Sequence, residues 1–267
     1  MVYHGAMATP SGRKALLFTA GGVPLALPLA AVREIARAEA SAQGIRVRGA
    51  PVPALPLGEA LGRPPGSKKF VLLLEGTARP ALLADELRGI ADLADAEVMS
   101  LPARTALPSP APFGAAFLLR DELYLELSLP GLAAAPAAPE WPHPGAVPEA
   151  PRTERELLCE RAGRALAVPL SLLVQVIEPA RIFPVPLTPP GHRGVLYHGR
   201  ALHPIFDAAA LLGEPQQGDP RVLLLLDAGG STAGILVDRV RGVGEGEGKS
   251  PVRRPAWDAL LSPHGAT

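Results

Sequence analysis

The sequence has a single cysteine, Cys159, and few aromatic residues, which make up 4% of its 267 residues. One cysteine excludes an internal disulfide framework and a cysteine-based zinc site. We expect Cys159, in "ELLCER", to be a small buried hydrophobic residue rather than a reactive thiol. An excess of charge is also lacking, because 26 Lys and Arg balance 26 Asp and Glu. No segment combines basic residues with aromatics, so we expect no nucleic-acid binding.

The longest run without a charged residue covers residues 15–32. Taken alone it has the features of a secretory signal, since it follows two basic residues and precedes small ones. Its two glycines and two prolines, however, make a poor membrane helix. The same pattern recurs at residues 157–170 with three charged residues in it. We therefore expect a soluble hairpin, no membrane insertion, and a cytoplasmic protein.

The chain repeats itself. Residues 16–29 and 157–170 both read as an apolar run, a Gly-containing turn and an alternating strand that ends in Pro-Leu, which predicts a β-hairpin. The further matches are 48–62 with 198–213, 70–76 with 222–229, and 82–90 with 235–243. The offsets between the paired segments rise steadily, from 141 through 150 and 152 to 153 residues. A colinear match of this kind indicates an internal duplication.

Both copies consist of short β-branched or Leu-rich runs separated by Gly and Pro, which predicts an all-β barrel or sandwich. We place the first copy at residues 12–132 and the second at 153–267. The proline-rich residues 133–152 between them are expected to form a semi-rigid linker. The one candidate for a short helical continuation in the first copy is residues 31–43.

A one-turn helix closed by glycine is predicted in each copy, within residues 48–62 and 198–213. In the second copy Asp207 stands where an N-cap residue belongs. Gly213 stands where the glycine that ends a helix belongs.

The two copies differ at their carboxyl ends. After Asp85 the first copy continues into a hairpin with Arg120 and Asp121 at its turn, whereas only 29 residues follow Asp238 in the second. We therefore expect the second copy to lack its final hairpin. An unpaired strand edge promotes aggregation unless it is covered, so we expect the linker, the first copy or a partner chain to cover it.

Three features invite a catalytic or metal-binding interpretation. His192, His198 and His203 lie close in sequence, but nothing requires them to converge on one metal ion. The segment "GVGEGEGKS" (242–250) has the spacing of a phosphate loop, but its two glutamates would repel phosphate. No Ser, His and Asp arrangement typical of a hydrolase stands out. We expect no catalytic site, no cofactor and no metal.

The order of the motifs resembles the CheW-like family of chemotaxis coupling domains. The segments that carry the resemblance are "ALPLAAVREI" (26–35), "GVLYHGRALHPIFDAAALLG" (194–213) and "GILVDRV" (234–240). The resemblance implies two small five-stranded SH3-like barrels in each copy, with no catalytic activity and no cofactor. It also implies that the chain binds the regulatory domain of a chemosensory histidine kinase and the cytoplasmic tip of a chemoreceptor.

The family's partner surface includes a Glu after the first hairpin and an Arg before the signature glycine. The resemblance assigns these roles to Glu34 and Arg48 in the first copy, and to Gln175 and His198 in the second. The residues expected to contact partners are Val32, Glu34, Arg48, Gly49 and Val52, together with Gln175, His198 and Gly199. Both charges are replaced in the second copy, so that an ion pair becomes at most a neutral hydrogen bond at pH 7. We interpret this as the loss of one interface.

The function implied is that of a non-catalytic adaptor that couples a histidine kinase to chemoreceptors, with other CheW-like proteins as further partners. Two alternatives remain open at this point. One is a divergent regulatory module that binds a protein outside chemotaxis. The other, which the sequence favours least, is a metal- or nucleotide-dependent enzyme.

Overall fold

The structure is a computed structural model that describes residues 13–41, 44–76, 81–105, 107–134, 149–151, 155–178, 181–216, 218–227, 230–244 and 252–261. The strands of the first copy are β1 Lys14–Ala20, β2 Val23–Pro28, β3 Val32–Arg37, β4 Glu39–Ser41, β5 Gly44–Val47, β6 Ala50–Pro51, β7 Leu55–Pro56, β8 Phe70–Leu74, β9 Ala81–Ala84, β10 Glu86–Asp92, β11 Glu97–Met99, β12 Phe113–Leu119 and β13 Glu122–Leu127. Those of the second copy are β14 Glu156–Arg161, β15 Arg164–Pro169, β16 Leu173–Ile177, β17 Ile182–Phe183, β18 His192–His198, β19 Ala201–Asp207, β20 Val222–Asp227, β21 Thr232–Val237 and β22 Arg239–Val243. The short α-helices are α1 Leu57–Ala60, α2 Leu129–Ala134, α3 Ala208–Leu211 and α4 Trp257–Leu260, and 3-10 turns cover Leu29–Ala31, Leu93–Asp95 and Ala103–Thr105. The all-β class expected from the sequence is confirmed.

The chain separates into two compact units. One contains Met1–Leu101 and Leu107–Ala138, and the other contains Pro102–Ala106 and Pro139–Thr267. The domain boundaries drawn from the sequence stay predictions. Of the proposed linker, residues 135–148 lie outside the described part of the chain, and so does 152.

The uncharged run at residues 15–32 forms a hairpin. Strands β1 and β2 pair antiparallel, from Ala15 opposite Pro28 to Ala20 opposite Val23. Their side chains are almost all buried. In the part of the chain that the structure describes, no helix is long and apolar enough to cross a membrane.

The helical continuation expected at residues 31–43 is wrong beyond a single 3-10 turn. Strand β3 runs from Val32 to Arg37 and pairs with β8, and β4 follows at Glu39–Ser41. Exposed and half-buried side chains alternate along β3 with a period of two residues. Pairing with the buried strand β8 therefore outweighs the helix preference of the Ala, Arg and Glu residues in this segment.

Each copy contains two kinds of sheet. We call the one that begins with the copy's first hairpin the terminal sheet, and the one built from the intervening strands the middle sheet. In the first copy the terminal sheet has the order β10-β1-β2-β13-β12-β11 and the middle sheet β3-β8-β9-β7, with a separate sheet β4-β5-β6. The second copy has a terminal sheet β15-β14-β22 and a middle sheet β16-β20-β21-β19-β18-β17.

The strands do not divide evenly into groups of five. In the first copy Pro51, Pro53 and Pro56 interrupt the segment that corresponds to β19, because a proline has no N–H to donate. The strand is split there into β6 and β7. In the second copy only Pro204 lies in this segment, and β19 runs through seven residues. One middle sheet of six strands results.

The one-turn helices occur where the sequence predicts them. Helix α3 begins after Asp207, whose carboxylate accepts a hydrogen bond from the amide of Ala209 at 3.0 Å. Gly213 follows the helix with a φ of 71°, a conformation that glycine adopts at low cost. Helix α1 ends before Gly62, which has a φ of 68°.

In the described part of the second copy, two separate segments stand where the first copy has its continuous closing hairpin. In the first copy β13 pairs in parallel with β2, and β12 pairs antiparallel with β13. In the second copy Arg253 forms a parallel bridge with Leu166 of β15, and Glu149 forms an antiparallel bridge with Pro255. We call residues 149–150 and 252–255 together the split hairpin. Residues after β22 thus cover the edge of β15, and the linker residues 149–150 pair in turn with those residues.

Trp257 anchors the split hairpin in the core. Its side chain is 1% exposed, and its indole N–H donates to the carbonyl of Ala167 at 2.9 Å. Leu260 and Leu261 are buried in the same cluster. The carboxylate of Glu156, itself 2% exposed on its side chain, accepts from Arg254 at 3.2 Å.

One aspartate stands at the crossing from the middle to the terminal sheet in each copy. Asp85 lies between β9 and β10, and its carboxylate accepts from the amides of Gly21 at 2.7 Å and Lys68 at 2.9 Å. Asp238 lies between β21 and β22 and accepts from the amide of Ala162 at 2.8 Å. Gly21 and Ala162 are the turn residues of the first hairpins. The same bond therefore ties the two sheets together in both copies.

The second copy adds a buried ion cluster to this bond. Arg161, 1% exposed, donates from Nε and Nη2 to the two carboxylate oxygens of Asp207 at 2.9 and 2.7 Å. Its Nη1 donates to Asp238 at 2.7 Å. Ala20 and Pro56 occupy the corresponding positions of the first copy.

We expect Arg161→Ala to lower the free energy of unfolding of the second copy by about 3–5 kcal/mol, because the buried Asp207 would lose its bidentate partner and keep Arg193, 3.7 Å away, in its place. Urea denaturation followed by tryptophan fluorescence measures this. Arg239→Ala is the matched control: its partner Glu160 is bound by Arg241 as well, and the Arg239 side chain is 65% exposed. The control should cost less than about 1 kcal/mol. Equal effects of the two substitutions would contradict a special role for the buried cluster.

We expect Trp257→Ala to expose the edge of β15. The amide of Ala167, which donates to the carbonyl of Arg253 at 2.9 Å, should exchange with solvent faster in the variant. Hydrogen exchange with mass spectrometry measures this. The amides of β20, which lies between β16 and β21, should keep their protection. Unchanged exchange along β15 would show that the split hairpin does not depend on Trp257.

Candidate functional site

The two charged residues that the sequence singles out in the first copy are in contact. Glu34 lies in the edge strand β3, and Arg48 lies in the turn between β5 and β6. The Nη2 atom of Arg48 is 2.9 Å from Oε1 of Glu34. The Arg48 side chain is 80% exposed and that of Glu34 29%. The carboxylate thus orients a guanidinium whose other N–H groups face solvent.

The other three expected contact residues of the first copy have different surroundings. Gly49, with a φ of 78°, completes the exposed two-residue turn that contains Arg48. Val32 is half-buried at the start of β3. Val52 packs against the apolar cluster of the middle sheet, and its amide donates to the carbonyl of Ile45 at 2.9 Å. Val52 therefore supports the surface from below, and Arg48 and Gly49 form its exposed part.

The second copy has a neutral pair in the equivalent place. Gln175 lies in the edge strand β16, and its Oε1 atom is 3.0 Å from Nε2 of His198. An amide oxygen only accepts, so Nε2 of His198 carries the proton in this contact. His203 donates from its own Nε2 to the carbonyl of His198 at 3.0 Å. A side-chain contact thus stands in the second copy where the first copy has an ion pair.

Glu34–Arg48 and Gln175–His198 are both side-chain contacts to an edge strand, but Arg48 and His198 occupy different positions relative to the turn. The turn of the first copy consists of Arg48 and Gly49, because Val47 pairs with Ala50. In the second copy His198 pairs with Ala201, and the turn consists of Gly199 and Arg200. Measured from the turn, His198 thus corresponds to Val47. The histidine reaches Gln175 from the strand, whereas the arginine reaches Glu34 from the turn.

The three neighbouring histidines do not share one site. His192 begins β18, and its ring packs edge-on against Phe206 at 5.1 Å between centroids. His198 ends the same strand, and its ring centroid lies 6.4 Å from that of His203. Among the described residues no group of three or more His, Cys, Asp and Glu has the geometry to hold a metal ion.

The sequence also drew attention to Cys159 and to the glycine-rich segment 242–250. Cys159 is fully buried, and burial raises the pKa of its thiol to about 12, so it stays protonated at neutral pH. This agrees with the expected role as a small hydrophobic residue. Of the glycine-rich segment 242–250, residues 245–250 lie outside the described part of the chain.

The sequence reasoning missed the buried cluster of Arg161, Asp207 and Asp238. Residues 161 and 207 are 46 positions apart, and no local pattern links them. A signal was present nonetheless, because Arg161 interrupts an otherwise apolar hairpin where the first copy has Ala20. An arginine in a buried strand requires a buried acidic partner.

The comparison with family models agrees with the duplicated architecture. A family model described as CheW-like domain matches residues 14–137 and 156–257. The search of curated proteins gave no match. Fifteen solved chains match, among them the crystal structure of the scaffolding protein TtCheW from Thermoanaerobacter tengcongensis. That structure is 19% identical with a TM-score of 0.33, and the match covers 35% of this chain and 65% of that one.

The buried His192 should make the stability of the second copy depend on pH. Burial lowers its pKa from 6.5 to about 4, so the unfolded chain binds the proton first as the pH falls. The stabilising contribution is complete above pH 6.5, declines between 6.5 and 4, and amounts to roughly 3 kcal/mol. Thermal denaturation between pH 4 and 7 measures the slope.

The variant His192→Asn should flatten that slope. Its amide oxygen takes the place of Nδ1, which accepts from the amide of Gly194 at 3.1 Å, but it does not titrate in this range. His203→Asn, at a half-buried position of β19, is the matched control and should keep the slope. A slope that survives His192→Asn would assign the pH dependence to another group.

Proposed function

Because the chain belongs to the CheW-like family, whose model matches both of its halves, we propose that it is a non-catalytic adaptor of chemotaxis-type signalling. In this role it binds the regulatory domain of a chemosensory histidine kinase and the cytoplasmic tip of a chemoreceptor. Other CheW-like proteins are further partners. The adaptor works in the cytoplasm, without a cofactor and without inserting into a membrane.

The observation that carries this proposal is the Glu34–Arg48 pair. An arginine that is 80% exposed, yet oriented by a carboxylate at 2.9 Å, is prepared to bind a partner's acidic group or carbonyl. Ordering this long side chain in advance lowers the entropy lost on binding. Val32 and Gly49 border the pair and complete the proposed contact surface.

The second copy is proposed to contribute to partner binding in a different way from the first. Gln175 and His198 keep a side-chain contact but lack the Glu–Arg ion pair, so we infer that the first copy provides the electrostatic part of binding. Gly199 lies in the exposed turn beside His198. Once the first copy is bound, the covalent connection raises the effective concentration of the second at a neighbouring partner.

The test is a titration of the full chain with the CheW-like regulatory domain of a chemosensory histidine kinase from the same organism. We expect saturable binding that Arg48→Glu weakens by about tenfold or more, because the reversed charge repels both Glu34 and the partner. Arg120→Glu is the matched control: it makes the same charge change at an exposed turn of the terminal sheet, again at a positive φ. Equal affinities of the two variants would contradict the assigned surface.

The same titration tests the interpretation of the second copy. The double variant Gln175→Glu, His198→Arg restores an ion pair there and should raise the affinity. No rise would contradict the loss of an interface by charge replacement. Absence of any binding by the full chain would contradict the kinase partner and favour a regulatory protein that binds outside chemotaxis.

A further inference from the structure

The outer face of β3 is basic with an apolar centre. Arg33, Ile35 and Arg37 alternate along the strand and are exposed, Ile35 to 37%. Neither arginine has an ion-pair partner among the described residues, in contrast to Arg48. Strand β3 also has a neighbouring strand on one side only.

The outer face of β16 is apolar with an acidic end. Val174 is 56% exposed and Val176 45%, and Glu178 follows the strand with its side chain exposed. Glu178 has no ion-pair partner in the described part of the chain. Strand β16, like β3, is the edge of its middle sheet.

These two faces hold most of the strongly exposed apolar surface. The described residues include five large hydrophobic side chains that are exposed, and three of them are Ile35, Val174 and Val176. Natural sheet edges are normally protected by charged side chains, as Arg33 and Arg37 protect β3. On β16 this protection is missing at Val174, which stands where β3 has Arg33. Exposed apolar residues grouped on a sheet edge mark an interaction surface.

We propose that the outer face of β3 in one molecule docks antiparallel on the outer face of β16 in a second copy of this chain. With Ile35 opposite Val176, the antiparallel direction brings Arg33 to the same end of the contact as Glu178, with a register shift at Arg33 in β3 and another at Val174 in β16. Arg37 then lies opposite Val174, which its aliphatic stem covers while the guanidinium stays in water. One ion pair and one apolar pair form at adjacent positions.

Charge selects this pairing over the two symmetric ones. Two β3 faces bring together four arginines and no acid, so they repel each other. Two β16 faces centred on Val176 place Glu178 against Val174, which desolvates a carboxylate without a partner. Only in the contact of β3 with β16 does every charged side chain meet either an opposite charge or water. This contact is independent of Glu34 and Arg48 and goes beyond the proposed function.

The test is the mass of the purified full chain, without any partner, measured by light scattering or sedimentation from about 10 µM to about 1 mM. We expect the mean mass to rise with concentration. Arg33→Glu and Glu178→Arg should each weaken self-association by about tenfold, because each places like charges opposite one another. The double variant Arg33→Glu, Glu178→Arg should restore it. Arg120→Glu, on the terminal sheet, is the matched control and should leave the mass unchanged.

Restoration by the double variant supports the pairing, since two charge reversals on different copies compensate only if the residues meet. A single species of monomer mass at every concentration would overturn it. Self-association that neither single reversal weakens, or that the double variant fails to restore, would overturn it as well. Circular dichroism confirms that each variant is folded, and both substituted residues are exposed at sheet edges. The kinase titration is a separate experiment, so the failure of one proposal is distinguishable from that of the other.

Discussion

A carboxylate at the crossing between two sheets is the interaction on which each copy depends. Asp85 and Asp238 stand where the chain leaves the middle sheet and enters the terminal sheet, and each accepts from an amide in the turn of the first hairpin. Hydrogen bonds to an ionised acceptor are stronger than neutral ones, and these fix two elements that are far apart in sequence. This bond connects the two sheets of a copy at one point. The edge strand of the candidate site, β3 or β16, belongs to the middle sheet.

The second copy, whose terminal sheet is smaller, has additional bonds at the connection between its two sheets. Its terminal sheet has three strands against six in the first copy, so fewer strands hold the hairpin β14–β15 in place. Arg161 connects that hairpin to Asp207, at the end of β19, and to Asp238. A buried ion cluster is a costly connection, but its geometry is specific, because each misplaced partner leaves a charge unpaired. The cluster and the split hairpin together replace what a continuous closing hairpin provides in the first copy.

The sequence predicted local and repeated features well. The first hairpins, the one-turn helices and the cap at Asp207 depend on residues within a few positions, and the first hairpin and the one-turn helix occur in both copies. The helix expected at 31–43 was wrong because Ala, Arg and Glu suit both a helix and a half-exposed strand, and pairing with β8 decided between them. Contacts between distant segments, such as Arg161 with Asp207 or Glu149 with Pro255, leave no short-range pattern. The pair of Glu34 and Arg48 was found only through the resemblance to a family.

The split hairpin has a consequence for how the protein is made. The strands of the first copy are complete once residue 134 has left the ribosome, so that copy has all it needs to fold during synthesis. The second copy waits longer, because its sheet is completed by pairing Glu149 with Pro255, 106 positions further along. Until residues 252–255 emerge, the edge of β15 stays uncovered. The linker therefore both connects the copies and takes part in the pairing that completes the terminal sheet of the second one.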